Sequence, residues 1–190
     1  MNAVRFAISA NFWDPETTTF SRATSNLKMN DNVVNAALHS PTKSKFHDEY
    51  ELLRKLRKGS CTTVHECRHK GTGEIFAVKI VRRAKLRPSE DEFVLNEVSI
   101  MQSLSRYDKY VVQLLDFYEE EEFFYLVRDY MSGGNVFDRI SKQNKYTEKN
   151  AKELTKSLLT AVRCMHDAGI AHRDLKPQNL LLRVSHGQWV

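Results

Sequence analysis

No stretch of this chain's 190 residues stays apolar for the roughly 20 positions a membrane-spanning helix needs, so neither a membrane anchor nor a membrane partner is expected. Cysteine is sparse: Cys61, Cys67 and Cys164 are odd in number and lack the paired spacing of a zinc site or a disulfide framework. That usage suits a reducing compartment, cytoplasm or nucleus. The first ten residues hold a single Arg and a short apolar patch, too little for a secretory signal, and Asp14 and Glu16 speak against a mitochondrial leader. Charge of one sign is not abundant either. The formal net charge is +5, and the densest basic run, residues 82–87, reads as a solvated turn before a helix. No nucleic-acid partner is expected.

What is present is the composition of an ordinary globular domain, 41% hydrophobic and 28% charged, preceded by something different. Residues 1–45 are rich in Asn, Ser and Thr with little apolar period, which predicts a disordered leader. From residue 46 onward the patterning strengthens. Residues 75–81 and 123–127 alternate as strands, and the acidic run 119–122 before the second reads as an exposed hairpin tip. Ser89 and Glu92, with Pro88 in front, form a capping box that predicts a helix from about Ser89. Phe93, Ile100, Met101 and Leu104 fall on one face of that helix, and so does Glu97. A carboxylate there either reaches solvent at the boundary or is buried with a cation waiting, because an unpaired buried charge is costly.

A longer helix is predicted over residues 146–169. Thr147 is its N-cap, Ala151, Leu154, Leu158, Val162 and Met165 form its apolar stripe, Leu159 widens the stripe, and Gly169 ends it.

The densest chemistry lies in residues 172–182, His-Arg-Asp-Leu-Lys-Pro-Gln-Asn followed by three leucines. Asp174 is placed to take or orient the proton of an attacking hydroxyl. Lys176 brings a cation to a transferring phosphoryl group, and Asn179 offers a neutral oxygen to magnesium. The three leucines read as a short buried strand that anchors the loop. A lone Asp-x-Lys would be read as a polar surface turn; six residue types at fixed offsets are poorly explained by chance.

Together these segments resemble the eukaryotic protein kinase superfamily over about residues 50–182. Lys176-Pro177 resembles the serine/threonine branch. Gly133-Gly134, Phe137-Asp138-Arg139-Ile140 and Tyr146-Thr147-Glu148 resemble the calmodulin-dependent kinase group. The resemblance implies an α+β, two-lobed fold. Residues 46–131 would form a complete N-lobe, a five-stranded antiparallel sheet plus one helix, together with the hinge. Residues 132–190 would supply the first part of a helical C-lobe.

It also implies ATP and Mg2+ as cofactors, a protein substrate, and transfer of the γ-phosphoryl group to Ser or Thr. Asp174, Lys176 and Asn179 would be the catalytic residues, with Asn179 on the metal. Lys79 would hold the α- and β-phosphates, paired with Glu97. Gly59, Val64, Ala77 and Leu181 would line the nucleotide. Backbone groups of Asp129 and Met131 would meet the adenine edge, and Asn135 would lie near the ribose.

Two departures stand out. In the phosphate-covering hairpin, residues 56–64, Gly59 remains of the usual three glycines; Arg57 and Thr62 replace the others. Arg57 either attracts phosphates or obstructs adenine. Arg128 takes the gatekeeper position at the back of the adenine pocket. It either competes with Lys79 for Glu97 or snorkels outward with its stem packed. The resemblance further implies an Asp-Phe-Gly magnesium ligand soon after the residue 180–182 strand, and the 190 residues do not reach one. Residues 184–188 look like the hairpin turn leading to it. A whole domain of this family runs on the order of 250 residues, so this chain supplies just over half. The chain alone is therefore expected to be catalytically incompetent, with an exposed stripe on the 146–169 helix. The competing expectation is a noncatalytic, pseudokinase-like module that engages a regulatory protein partner.

Overall fold

Period-two alternation builds the first half of the chain. The computed structural model describes residues 4–6, 44–87, 90–107, 109–142, 147–185 and 188–189. Five strands form one antiparallel sheet: β2 (Tyr50–Lys58), β3 (Thr62–His69), β4 (Ile75–Arg82), β5 (Leu114–Glu119) and β6 (Phe123–Asp129), in the order β2-β3-β4-β6-β5. The expected sheet is present, with both predicted strands longer by one or two residues at their C-terminal ends.

Successive side chains of β4 and β6 point to opposite faces. Val78 and Val127 go to one face, where they meet Cys67, Tyr50, Tyr118 and Tyr125. Phe46, in the short helix α1 (Phe46–Glu49), covers this layer and stacks on Tyr50 and Tyr125 with ring centroids 5.4 and 4.4 Å away. Full burial of such a ring contributes about 1.5–3 kcal/mol. Tyr50 hydrogen-bonds Asp116, and Tyr118 donates to Glu49 at 2.9 Å, so neither phenol is buried without a partner. Burial and these carboxylates push both phenols well above their ordinary range.

Val81, Phe124 and Leu126 go to the other face, against helix α2 (Asp91–Ser103). Its buried stripe is Val94, Glu97, Val98 and Met101. This corrects the predicted face by one position: Phe93 is 40% exposed, and Val94 takes its place. The capping box at Ser89 lies outside the described residues. The helix starts at Asp91, with Glu90 at the N-cap position making no side-chain cap.

The basic run before α2 is less solvated than its composition suggests. Arg83 pairs with Asp91 and with Glu119, donates to the Glu120 carbonyl at 3.0 Å, and lies over the Phe124 ring at 4.5 Å. The acidic hairpin tip is correspondingly tied down, since the Phe46 N–H donates to Glu120 Oε1 at 2.9 Å.

Two further helices, α3 (Val136–Lys142) and α4 (Glu148–Asp167), follow the hinge. Thr147 caps α4 as expected, its hydroxyl accepting from Asn150 N–H at 3.2 Å. The other end closes in a Schellman motif: Ile170 N–H donates to Met165 O and Gly169 N–H to His166 O, both at 2.9 Å. Gly169 sits at φ +74°, which an L side chain resists.

The buried side of α4 carries Ser157, Ala161 and Met165, with Leu154, Leu158 and Val162 partly covered. The broad exposed stripe is not found among the described residues. Leu159, expected to widen the stripe, is instead 63% exposed on its own. Met165 and Val162 pack with Met101, Leu104 and Val111, and Ala161 packs with Val136, Leu180 and Leu182.

Strand β7 (Leu180–Leu182) pairs with β1 (Val4–Phe6) in antiparallel register, Arg5 opposite Leu181. Three residues of the expected disordered leader are therefore a strand. Val-Arg-Phe is short but β-prone, and the edge of β7 supplies the backbone partners that a leader read in isolation lacks. The rest of the leader lies outside the described residues. The predicted turn after β7 is a hairpin of β8 (Val184–Ser185) with β9 (Gln188–Trp189).

Candidate functional site

The first cluster of the site lies between the sheet and α2. Lys79 of β4 has Val64 of β3 and Leu126 of β6 as its cross-strand neighbours, so it sits mid-sheet and cannot reach solvent easily. It is 4% exposed and donates to Glu97 Oε2 at 2.7 Å; Glu97 is 8% exposed. The solvent-reaching alternative for Glu97 is excluded. Burial lowers the proton affinity of Lys79, Glu97 opposes that shift, and the nearby Arg128 adds to it.

Arg128 is buried as well, at 9% exposure, with its Nη1 4.0 Å from Glu97 Oε1. The outward-snorkelling reading therefore fails. Arg128 shares the α2-facing side of β6 with Phe124 and Leu126, so its side chain enters the layer that the helix covers. Competition of Arg128 with Lys79 has not displaced Lys79, which holds the closer oxygen.

The second cluster is the loop between α4 and β7. Ile170 anchors its start in the Met101–Met165 core, and Leu180 and Leu182 anchor its end in the Val136–Ala161 core. Between them the backbone is fixed locally. Arg173 adopts φ +62°, a left-handed conformation uncommon for a residue other than glycine. Asp174 N–H donates to His172 Nδ1 at 3.3 Å. A 3-10 turn, Pro177–Asn179, brings Asn179 back over the loop. Its Nδ2 donates to both the carbonyl and the carboxylate of Asp174, at 2.8 and 2.9 Å. Lys176 Nζ lies 2.9 Å from the same carboxylate.

Asp174, Lys176 and Asn179 are thus one hydrogen-bonded group, as the sequence implied. The amide nitrogen of Asn179 is used on Asp174, which leaves its side-chain oxygen as the donor a hard cation prefers. Among the described residues, no set of three or more His, Cys, Asp or Glu side chains is placed to hold a metal ion.

The remaining predicted residues divide. Val64 on neighbouring β3 and Ala77 on the Lys79 strand itself are half-buried, and Leu181 is bridged to Asn135. Gly59 forms the exposed tip of the β2–β3 hairpin, its N–H donating to Thr62 O at 2.8 Å. A Cβ at Gly59 would meet Thr62 Oγ1 at 2.9 Å. Arg57 is exposed opposite Val64.

At the hinge Met131 is buried, and its carbonyl accepts from Gly134 N–H at 3.1 Å. The Asp129 N–H donates to Gln113 O at 3.2 Å. The Asp129 carboxylate takes Arg5, Arg183 and the Gln113 N–H.

Asn135, which the resemblance would put near the ribose, stands just before α3. Its side chain caps α3, accepting from Asp138 N–H and donating to Asp138 Oδ2, both at 2.8 Å. Asn-x-x-Asp before a helix was the signal that could have shown this. Arg5 carried no sequence signal at all.

Comparison with known proteins decides what these two clusters belong to. The protein kinase domain model matches residues 50–189. The chain belongs to the protein kinase family. Similar kinases include calcium/calmodulin-dependent protein kinase cmkB of Emericella nidulans, 38% identical over 70% of this chain and 33% of that protein. Calcium-dependent protein kinase 32 of Arabidopsis thaliana is 38% identical over 76% of this chain and 27% of its own length. Calcium/calmodulin-dependent protein kinase type I of Schizosaccharomyces pombe is 37% identical over 71% and 40%. The family assignment, the serine/threonine branch and the likeness to the calmodulin-dependent group thus agree with the sequence reading. This kinase chain spans between about a quarter and two fifths of those relatives.

Proposed function

We propose that this chain carries the nucleotide-binding and phosphate-transferring part of an ATP-dependent protein serine/threonine kinase. The reaction moves the γ-phosphoryl group of ATP to a Ser or Thr hydroxyl of a protein substrate. The observation that carries this reading is the single hydrogen-bonded group of Asp174, Lys176 and Asn179.

In such a site the acceptor hydroxyl needs a base at its proton. Asp174 supplies the carboxylate, held in orientation by the two hydrogen bonds from Asn179. Lys176 brings positive charge to where negative charge accumulates. Lys79 would bind phosphate oxygens from its buried position under the sheet, with Glu97 behind it. Mg2+ would supply charge neutralisation across the phosphates, with Asn179 as its side-chain ligand. Cytoplasm or nucleus is the proposed location.

Arg128 favours a second reading. A buried guanidinium beside the Lys79–Glu97 pair would suit a chain that binds nucleotide or a regulatory protein without turning over. The assay is label transfer from γ-labelled ATP to a Ser/Thr protein substrate, by the wild type and by Asp174→Asn. Weak transfer to Ser or Thr that Asp174→Asn removes supports the kinase reading. Nucleotide binding with equal background in both proteins supports the second reading. Neither binding nor transfer contradicts both.

A further inference from the structure

The kinase domain match begins at residue 50, but one residue well ahead of it reaches the hinge. Asp129 ends β6 and opens the hinge. Its carboxylate collects Arg5, the Gln113 N–H at 3.1 Å and Arg183 at 3.4 Å. The Arg5–Asp129 pair is the sheltered one: its side chains are 15% and 14% exposed, against 45% for Arg183. Salt and solvent therefore screen it less.

The main chain of Arg5 is engaged as well. In β1 it stands opposite Leu181, the middle residue of β7. The other edge of β7 is bound to the hinge: Gly133 N–H donates to Leu182 O, and Leu182 N–H to Gly134 O, both at 2.8 Å. β7 thus lies between the hinge and β1, and β1 also lies against α4. In the kinase reading, Asp129 gives a backbone group to the adenine edge and Leu181 lines the nucleotide. One residue therefore grips two walls of the base pocket, Asp129 by its guanidinium and Leu181 by its backbone. A hinge held in place before the nucleotide arrives costs less to order when the nucleotide binds.

We propose that Arg5 is a positioning residue of the adenine pocket, clamping the hinge at Asp129 to strand β7 and so bringing the N-terminal segment into the nucleotide site. The proposal rests on the kinase reading above. It makes a distinction that a merely stabilising strand would not. The clamp acts where the base is read and leaves Lys79 and Lys176 untouched, so its loss weakens adenosine as much as ATP. Adenine and guanine differ in the donors and acceptors they present. A loosened hinge therefore gives up part of the preference for ATP over GTP.

The test uses the whole 190-residue chain as wild type, Arg5→Met, Asp129→Asn and the double variant. Affinities for Mg-ATP, Mg-GTP and adenosine are read by displacement of a fluorescent ATP analogue. The expected loss for Mg-ATP in Arg5→Met is about fivefold or more, the scale of one charge-assisted hydrogen bond. Adenosine should lose as much and Mg-GTP less. Asp129→Asn should show the same pattern, and adding Arg5→Met to it should weaken binding no further.

Mg-ATP binding by Arg5→Met equal to that of wild type overturns the proposal. A loss for ATP without one for adenosine makes Arg5 a distant cation acting on phosphates, and overturns it too. Equal losses for ATP and GTP, or losses that add in the double variant, make β1 a general support of the fold and overturn the clamp. Wild type that binds no nucleotide overturns the kinase reading, whereas wild-type binding with an unchanged Arg5→Met profile overturns the role of Arg5 alone. Circular dichroism melting verifies folding, and Asp129→Asn, which keeps the side chain's shape, decides the matter if Arg5→Met does not fold.

Discussion

Replacing Glu97 by Ala removes the one carboxylate shared by Lys79 and Arg128 and leaves two buried cations facing each other. Breaking a buried pair by deleting one partner costs about 3–5 kcal/mol, since the remaining charge is neither solvated nor compensated. Native domains are stable by about 5–15 kcal/mol, so the variant should lose roughly a fifth or more of its stability. At about 2–4 °C per kcal/mol for a chain of this size, the melting temperature should fall by about 6–20 °C. Urea unfolding followed by circular dichroism gives the free energy directly.

The variant also has a pH signature. Lys79 binds its proton less tightly in the folded protein than in the unfolded one. The unfolded chain therefore holds more protons between the lowered folded value and the unfolded value of about 10.4, and stability rises with pH across that window. Without Glu97 the folded value drops further, so the window opens at lower pH and raising the pH recovers more stability than in wild type. A loss under about 1 kcal/mol, or a pH slope equal to wild type, would refute the buried ion pair as a structural element.

Other outcomes follow from single contacts. Thr147→Ala removes the cap of α4 and should cost about 1 kcal/mol by denaturant unfolding, while Thr147→Asp should be close to neutral. Gly169→Ala forces a Cβ into φ +74° and should cost about 1–2 kcal/mol, more than Ala at an exposed helix position. Burial raises the Cys67 thiol to about 12, whereas Cys61 and Cys164 are half-buried. A thiol reagent at pH 8 should therefore label two cysteines in the folded protein and the third only in denaturant. Deleting residues 1–6 removes the strand on Leu180–Leu182 and the Arg5–Asp129 ion pair, and should lower stability by about 1–2 kcal/mol.

The strands and the loop were legible because their signals are local. Alternation along β4 and β6, Thr147 and Gly169 at the ends of α4, and the fixed offsets from His172 to Asn179 each lie within one segment. The Lys79–Glu97 pair was legible in two steps: a carboxylate on an apolar helix face demands a cation, and the family resemblance pointed to Lys79 as that cation.

What stayed hidden depends on partners distant in sequence. Whether Arg128 was buried depended on α2 covering the face of β6 that it shares with Phe124 and Leu126. Asn135 was read by its place in the chain, and its helix-capping pattern with Asp138, the physical signal for its observed contacts, went unread. Val4–Phe6 became a strand because the edge of β7 was available more than 170 residues later, which no local pattern reports. The slip from Phe93 to Val94 is a small rotation of the buried face, which centres on Val94, Glu97, Val98 and Met101.

The most direct measurement is calorimetric titration of Mg-ATP into the 190-residue chain, with Lys79→Met as the comparison. The account predicts one site per chain in the wild type and a loss of at least tenfold in affinity in a folded Lys79→Met protein. Equal binding by both proteins, or no heat from the folded wild type at millimolar nucleotide, would contradict it.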